Sequence, residues 1–232
     1  MKVAVLYSGG KDSTFAIHHC IKKGWEIKYL ISVKPTRRDC YLFHFATVEH
    51  TTELAKILGI KHIITTCSVA NPEKEAEIIK GIVLNDPVGA VVLGGIGLQK
   101  TQLISIQRAL LPHGIEVFAS HAELDHDELI KEMISQGYDI RITQIASAGL
   151  NANWLGRKLD YSSFEELKKL SLRYGFHIGG EGGYYDTLVV DGPIFNKKLV
   201  IEDAEKVIEN EYCGYLKINK LAVVDKSRIL NK

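Results

Sequence analysis

The residues best suited to chemistry follow the first apolar run of the chain, in the segment Ser8-Gly9-Gly10-Lys11-Asp12-Ser13. Two adjacent glycines let the backbone approach an anion without a Cβ in the way. Successive N–H groups of such a turn can surround phosphate oxygens, and a helix beginning at Asp12 or Ser13 would add the positive end of its dipole. Lys11, which we expect to be exposed, adds a mobile charge. We call this segment the phosphate turn.

A simpler interpretation of the same segment is a tight strand-to-helix turn with an N-cap, because Gly, Asp and Ser all favour such turns. A turn alone does not require a lysine beside two glycines at the carboxyl end of a strand. We therefore favour phosphate binding. The spacings G-x-x-x-x-G-K-[ST] and G-x-G-x-x-G, which define other phosphate-binding loops, do not occur in the sequence.

Short apolar runs alternate with amphipathic stretches through the first half of the chain. The predicted strands are 3–7, 27–33, 62–66, 90–96 and 117–120, and the predicted helices are 13–23, 44–58, 73–84 and 101–111. This alternation predicts an α/β fold, a parallel sheet of about five strands with helices on both faces. Ligands of such sheets bind beyond the carboxyl ends of the strands, which is where the phosphate turn lies.

The regular alternation is lost near residue 122. Predicted helices follow at 127–136 and 163–174, and predicted strands at 140–146, 188–190, 198–201 and 216–224. Ser163 and Glu166 have the spacing of a capping box that opens the second helix. We predict a nucleotide-binding domain over residues 1–122 and a smaller, substrate-binding α+β domain over 123–232.

Composition excludes several classes of function. The 232 residues are 46% hydrophobic with a formal net charge of +1, so overall charge gives no case for a nucleic-acid or membrane partner. The apolar run 3–7 is too short for a signal peptide, and no run approaches the roughly 20 apolar residues of a membrane helix. The four cysteines are far apart, without a C-x-x-C pair, which is typical of reduced thiols. We expect a cytoplasmic protein.

The phosphate turn resembles the PP-loop of the N-type ATP pyrophosphatases. Members of that superfamily adenylate a carboxylate or a base oxygen and then let ammonia or sulfur displace AMP. The resemblance implies that the turn holds the pyrophosphate half of ATP, normally with Mg²⁺, and that Lys11 and Asp12 are catalytic. Asp12 would serve the loop conformation or the metal.

Segments of the second half, in one order, resemble the diphthine–ammonia ligase family, including its archaeal members: 153–157, 174–177, 179–187 and 191–195. In that family ATP adenylates the carboxylate of diphthine, a modified histidine on translation elongation factor 2, and ammonia then yields diphthamide. The resemblance implies a substrate site made by Trp154, Gly156, Arg157, His177, Gly180, Glu181, Gly182, Gly183, Asp186 and Thr187.

Four further residues are expected to contact the nucleotide: His44, Gly94, Gly95 and Gln102. His44 matches a position where relatives carry histidine, although an ordinary histidine at the start of a helix is an equal alternative. Gly94 and Gly95 end the fourth strand, where the backbone could pass close to ribose or adenine. Gln102 is kept from a Tyr-Gln-Arg motif of the relatives.

The chain departs from the family pattern at five positions. Thr101 and Leu103 replace a tyrosine and an arginine, His121 replaces a tryptophan and Tyr184 a glutamate. Asp186 also replaces a glutamate and can still act as one. Two alternatives therefore stay open. A tRNA-modifying PP-loop enzyme is disfavoured by the missing C-x-x-C pairs and the balanced charge. A non-catalytic ATP or AMP sensor is favoured by Leu103 and Tyr184.

Four glycines surround Glu181 in residues 179–183, which we call the glycine loop. Each glycine costs about 0.5–1 kcal/mol more to order than alanine, so we expect positive φ or close backbone approach there. We expect the loop to face the phosphate turn across a cleft, with a catalytic Glu181 contacting the acceptor, ammonia or magnesium. An unusual surface hairpin is the alternative. No glutaminase segment is recognisable, so free ammonia or a partner must supply nitrogen. A homodimer is left open.

Overall fold

The computed structural model describes residues 1–35, 47–68, 71–95, 100–120 and 125–226. The strands are β1 (Lys2–Leu6), β2 (Glu26–Pro35), β3 (His62–Cys67), β4 (Ala90–Leu93), β5 (Glu116–Ala119), β6 (Asp139–Ala146), β7 (Tyr185–Asp191), β8 (Lys197–Asn210) and β9 (Cys213–Asp225). The helices are α1 (Lys11–Lys22), α2 (Thr51–Leu58), α3 (Pro72–Asn85), α4 (Lys100–Leu110), α5 (His126–Ser135) and α6 (Tyr161–Tyr174). The predicted domain boundary near residue 122 falls outside the described residues.

The first sheet has five parallel strands in the order β3-β2-β1-β4-β5, which confirms the predicted fold class. The chain builds one half of the sheet outward from β1 and then returns to place β4 on the other side of β1. The strand order therefore reverses between β1 and β4. The phosphate turn leaves the carboxyl end of β1 at this point, which is where doubly wound sheets bind ligands.

Both faces of this sheet are buried, which explains the continuous apolar runs of its strands. On one face, Val3 and Val5 of β1 pack in a cluster with Phe15 of α1. On the other face, Ala4 packs with Ile79 of α3 and with residues of α4. Successive β1 side chains thus enter opposite cores, as the pleat of a strand requires.

The second sheet is antiparallel, with four strands in the order β7-β6-β9-β8. Its core is continuous with the α1 and α2 side of the first sheet, where Leu188 of β7 belongs to the same cluster as Leu54 of α2. The β8–β9 hairpin is longer than the sequence predicts, because many of its exposed residues are charged and interrupt the apolar strand pattern. No helix within the described residues is long and apolar enough to cross a bilayer.

The predicted capping box of α6 was wrong. The helix begins at Tyr161, and Asp160 is its N-cap, with a carboxylate that accepts from Ser163 N at 2.9 Å. The Ser163 hydroxyl accepts in turn from Asp160 N at 2.8 Å. Ser163 is thus the N3 residue, the fourth of the box rather than its first, because an aspartate upstream provides an equally good cap.

Candidate active site

The phosphate turn folds as a strand-to-helix turn at the reversal point of the sheet. Gly9 has φ +81°, a conformation that favours glycine, and Gly10 is the N-cap of α1 without a side-chain cap. The Ser13 hydroxyl donates to Gly10 O at 3.2 Å, and Ser8 N donates to Ser13 Oγ at 3.2 Å. The two serines therefore stabilise the turn from inside, in addition to their predicted contact with phosphate.

The second domain packs directly against this turn. Lys11 N donates to Thr187 Oγ1 of β7 at 3.1 Å, and Val189 N donates to Gly9 O at 2.9 Å. A Cβ on Gly10 would lie 3.2 Å from Thr187 O, which is tighter than ordinary contact. The conformation of the phosphate turn thus depends on β7 as well as on its own glycines.

Lys11 is buried, with 2% of its surface exposed, so the expectation of an exposed lysine was wrong. Its ammonium donates to Asp12 Oδ2 at 2.8 Å and to Gly179 O at 2.5 Å, and it lies 5.5 Å from the centre of the Tyr185 ring. Helix α1 starts at Lys11 itself, and the glycine loop covers the side chain. Burial alone would lower the pKa of Lys11, but nearby Asp12, Tyr185 and Glu181 outweigh it and raise the pKa. The lysine is therefore charged at neutral pH.

The glycine loop has the backbone geometry that its composition predicts. Gly180, Gly182 and Gly183 all have positive φ, and a Cβ on Gly179 would collide with the ring of His126. The loop touches the phosphate turn directly through Gly179 O rather than across an open cleft. The surface-hairpin alternative therefore does not describe it.

Glu181 is mostly buried, with 13% of its side chain exposed, and lies where the two domains meet. A Cβ on Gly95, just after β4, would overlap with Glu181 Oε1. Its other neighbour is His126, whose Nε2 is 3.5 Å from Oε1. Magnesium prefers oxygen ligands. Because the neighbour of the Glu181 carboxylate is the imidazole of His126, this position suits ammonia or the acceptor better than the metal.

Gly94 and Gly95 have different neighbours. A Cβ on Gly94 would come within 2.7 Å of the backbone of Asp12 and Ser13, so this glycine lets β4 approach the start of α1. Gly95 leaves space for the Glu181 carboxylate. Both glycines are next to the phosphate turn, and their contact with ribose or adenine stays a prediction.

Gln102 lies at the start of α4 and is 3% exposed. Its Nε2 is 3.5 Å from Glu75 Oε2 on α3, and burial raises the pKa of Glu75 from 4.5 to about 7, although the Gln102 contact opposes the shift. Leu103 packs against the core on this face of the sheet. The nucleotide contact of Gln102 stays a prediction. His44 and His121 lie outside the described residues.

The Trp154–Arg157 segment contacts other residues of the second domain. Trp154 is buried, and the Arg157 guanidinium stacks 4.3 Å above its ring and pairs with Glu166 at 2.6 Å. Gly156 has φ +81° and its N–H donates to Ile142 O at 2.8 Å. Within the described part of the chain, no hydrogen bond joins this segment to the phosphate turn. Its role in substrate binding stays a prediction.

An open cavity of ≈ 650 Å³ lies on the outer side of the glycine loop. Its lining includes the end of α6 together with Phe176, His177, Glu181, Gly182 and Tyr184. Tyr184 packs against Phe176, with ring centres 6.1 Å apart. Glu181 therefore borders both this cavity and Gly95. Asp186 lies mostly buried in β7, beside Thr187.

Sequence reasoning missed His126, the first residue of α5. Its ring meets the His177 ring edge-on, with centres 4.6 Å apart, and faces Glu181. A polar residue at a helix start looks like part of a cap, so its spacing gave no signal of a site. Tyr185 was missed as a site residue because its contact with Lys11 is distant in sequence. Its hydroxyl donates to Ile178 O at 2.6 Å, and the Lys11 ammonium lies 5.5 Å from the centre of its ring.

Asp12 is the carboxylate of the phosphate turn that could hold magnesium. No group of three or more His, Cys, Asp or Glu side chains in the described segments could hold a metal ion. Mg²⁺ at nucleotide sites usually needs only one or two carboxylates, with phosphates and waters completing the shell. The Asp12 side chain, 28% exposed at the start of α1, fits that requirement.

A parallel sheet with a lysine-bearing glycine turn at its reversal point, closed by a second domain, defines a two-domain α/β protein of the PP-loop class. The model of the diphthamide synthase N-terminal domain matches residues 1–111, and that of the diphthamide synthase C-terminal domain matches 125–224. The chain belongs to the diphthamide synthase family.

Curated relatives match along nearly the whole chain. The diphthine–ammonia ligase of Homo sapiens is 29% identical, with 97% of this chain and 94% of the relative covered. That of Danio rerio is 28% identical, with 99% of both covered. That of Schizosaccharomyces pombe is 29% identical, with 97% of this chain but 40% of the relative covered.

Proposed function

We propose that this chain is an ATP-dependent, AMP-forming ligase of the diphthine–ammonia ligase type. It adenylates the carboxylate of diphthine on elongation factor 2 and forms the amide with ammonia. The relatives named above carry that activity in their names, and the chain matches two of them over at least 94% of their length. We also propose a cytoplasmic location, because Cys20 and Cys213 are free thiols.

The observation that carries this proposal is the hydrogen bond from Lys11 Nζ to Gly179 O at 2.5 Å. It joins the charge of the phosphate turn to the glycine loop, which also holds Glu181 against Gly95. A reaction that couples ATP cleavage to attack on a carboxylate needs its phosphate-binding group and its acceptor-binding group in one site. The contact between the phosphate turn and the glycine loop supports the proposal that these residues form such a site.

In the first step, an acceptor carboxylate oxygen attacks the α-phosphorus of ATP and pyrophosphate leaves. Lys11 and the N–H groups at the start of α1 stabilise the charge that develops on the pyrophosphate. Asp12 would hold magnesium, which when bound supplies further neutralisation of the phosphates. In the second step, ammonia attacks the acyl carbon, and the bond to AMP breaks.

The test is a product assay with α-labelled ATP, with and without diphthine-bearing elongation factor 2 and ammonium. We expect labelled AMP and pyrophosphate that depend on the acceptor, and amide formation that depends on ammonium. ADP with inorganic phosphate as main products would contradict the proposal. ATP binding without turnover would favour the sensor alternative, which Leu103 and Tyr184 suggest. Salt-sensitive retention of tRNA would favour the tRNA-modifying alternative.

A further inference from the structure

His126 lies beside Glu181 and Gly179, and the proposed chemistry gives it no role. It is the first residue of α5, directly after the Asp125 N-cap, so the helix start holds its backbone in place. Its Nε2 is 3.5 Å from Glu181 Oε1, and its Nδ1 packs against Gly179, where a Cβ would collide. The glycine at 179 is therefore needed for the imidazole to reach the carboxylate.

Charged and titratable groups surround this imidazole from two directions. Lys11 and Asp12 face it from α1, and His177 and Glu181 face it from the segment between α6 and β7. Burial lowers the pKa of His126. Asp12 and Glu181 oppose that shift, whereas Lys11 and His177 reinforce it. The net direction is downward from 6.5, so the imidazole is neutral at pH 7 and can accept a proton.

The polar atoms of His126 have unused hydrogen-bonding capacity. Nδ1 is buried and has no hydrogen-bond partner among the residues that the structure describes. In the Nδ1–H tautomer, the lone pair of Nε2 faces Glu181 Oε1, so two acceptors are directed at the same space. A small cation that donates N–H groups to both His126 Nε2 and Glu181 Oε1 would satisfy these two acceptors.

We propose that His126 Nε2 accepts the proton that an ammonium ion must lose, while Glu181 holds that ion beside the acyl-adenylate. This inference rests on the proposed ligase function. Ammonium transfers one proton to Nε2, and the freed lone pair of nitrogen forms the C–N bond with the acyl carbon. The C–O bond to AMP then breaks, AMP keeps the electron pair, and a second proton leaves the nitrogen to Glu181 or water.

The experiment compares three reactions of wild type and His126→Gln. The acceptor-dependent exchange of pyrophosphate into ATP reports adenylation alone. Amide formation from ammonium reports both steps, and hydroxamate formation from hydroxylamine bypasses proton removal, since hydroxylamine is largely unprotonated at neutral pH. His113→Gln, an exposed histidine after α4, is the matched control.

For His126→Gln we expect kcat/KM for ammonium to fall about 10- to 100-fold at pH 7, within the range of general base catalysis. Exchange and hydroxamate formation should stay within about twofold of wild type. The deficit with ammonium should shrink as pH rises towards 9, where free ammonia becomes abundant. His113→Gln should behave as wild type in all three reactions.

Two outcomes would overturn the inference. Equal use of ammonium by wild type and variant would show that His126 accepts no proton. Parallel loss of all three reactions, in His126→Gln and in the shorter His126→Asn, would assign the residue to folding or ATP binding. Absence of pyrophosphate exchange in the wild type would instead contradict the proposed ligase function itself. Failure of the His126 inference and failure of the proposed function are therefore distinguishable.

Discussion

The backbone N–H of Lys11 in α1 donates a hydrogen bond to Thr187 Oγ1 of β7 at 3.1 Å, across 176 positions of sequence. Helix α1 has Gly10 as its N-cap and therefore lacks a side-chain acceptor of its own. Thr187 provides that acceptor from β7. The first helix of the nucleotide-binding domain is thus capped by the second domain, which couples the shape of the phosphate turn to domain contact.

Thr187→Val removes the acceptor with little change in shape. We expect the free energy of unfolding to fall by about 1 kcal/mol, the usual cost of a lost cap, and ATP affinity to fall with it. Denaturant unfolding and titration calorimetry measure the two effects. Thr187→Ser should restore both, and Thr66→Val, at an exposed strand position, should change neither. Unchanged stability of Thr187→Val would mean that another group caps α1.

Lys11→Met should weaken ATP binding by at least about tenfold, because a charge-assisted phosphate contact is worth roughly 1.5–3 kcal/mol. Since Lys11 is buried against Asp12, the substitution should also lower the melting temperature. Adding Asp12→Asn removes the partner charge, so the double variant should regain stability but not ATP affinity. Lys56→Ala, at an exposed position, is the control. If Lys11→Met binds ATP with native affinity, the phosphate turn is an ordinary strand-to-helix turn that does not bind phosphate through Lys11.

Three glycine-to-alanine substitutions should separate stability from turnover. Gly94→Ala places a Cβ within 2.7 Å of α1 backbone and should cost both stability and ATP affinity. Gly95→Ala meets only the end of the Glu181 side chain, so turnover should fall while the melting temperature changes little. Gly81→Ala, in α3 with open space around it, should be neutral or stabilising by about 0.5–1 kcal/mol. Identical behaviour of Gly94→Ala and Gly95→Ala would contradict the separate roles of the two glycines, Gly94 against the α1 backbone and Gly95 against Glu181.

Glu181→Gln removes the charge of the glycine loop at nearly constant shape. Turnover should fall by at least about tenfold, or 1.4 kcal/mol, while ATP affinity changes little. Steady-state kinetics and calorimetry on the same preparation give both quantities. Glu165→Gln, at an exposed position on α6, should leave turnover unchanged. A native rate for Glu181→Gln would exclude a catalytic role and favour the sensor alternative.

Glu75→Gln should change how stability depends on pH. Burial raises the pKa of Glu75 from 4.5 to about 7, so the folded state favours the protonated acid. Wild-type stability from this group is therefore present below pH 4.5 and is lost as pH rises towards 7. The stability of Glu75→Gln relative to wild type should grow across that window in denaturant unfolding. Glu73→Gln, at an exposed position on the same helix, is the control and should show no such trend. A stability difference between Glu75→Gln and wild type that does not change with pH would mean that the fold does not raise the pKa of Glu75.

The phosphate turn, the parallel α/β sheet and the family were readable from sequence, because each depends on local patterns. Apolar periodicity reports which faces are buried, and glycines with a lysine after a strand report a turn that can bind anions. The glycine loop was also predictable, because several closely spaced glycines indicate backbone conformations that other residues avoid.

Only the tertiary structure decided what those segments contact. The burial of Lys11, the cap from Thr187 and the approach of His126 to Glu181 all arise where two domains meet. None of them has a local signature, since a lysine in a turn, a threonine in a strand and a histidine at a helix start are ordinary by themselves. Their chemistry depends on side chains brought together by sheet packing, and single-chain periodicity carries no information about which distant faces meet.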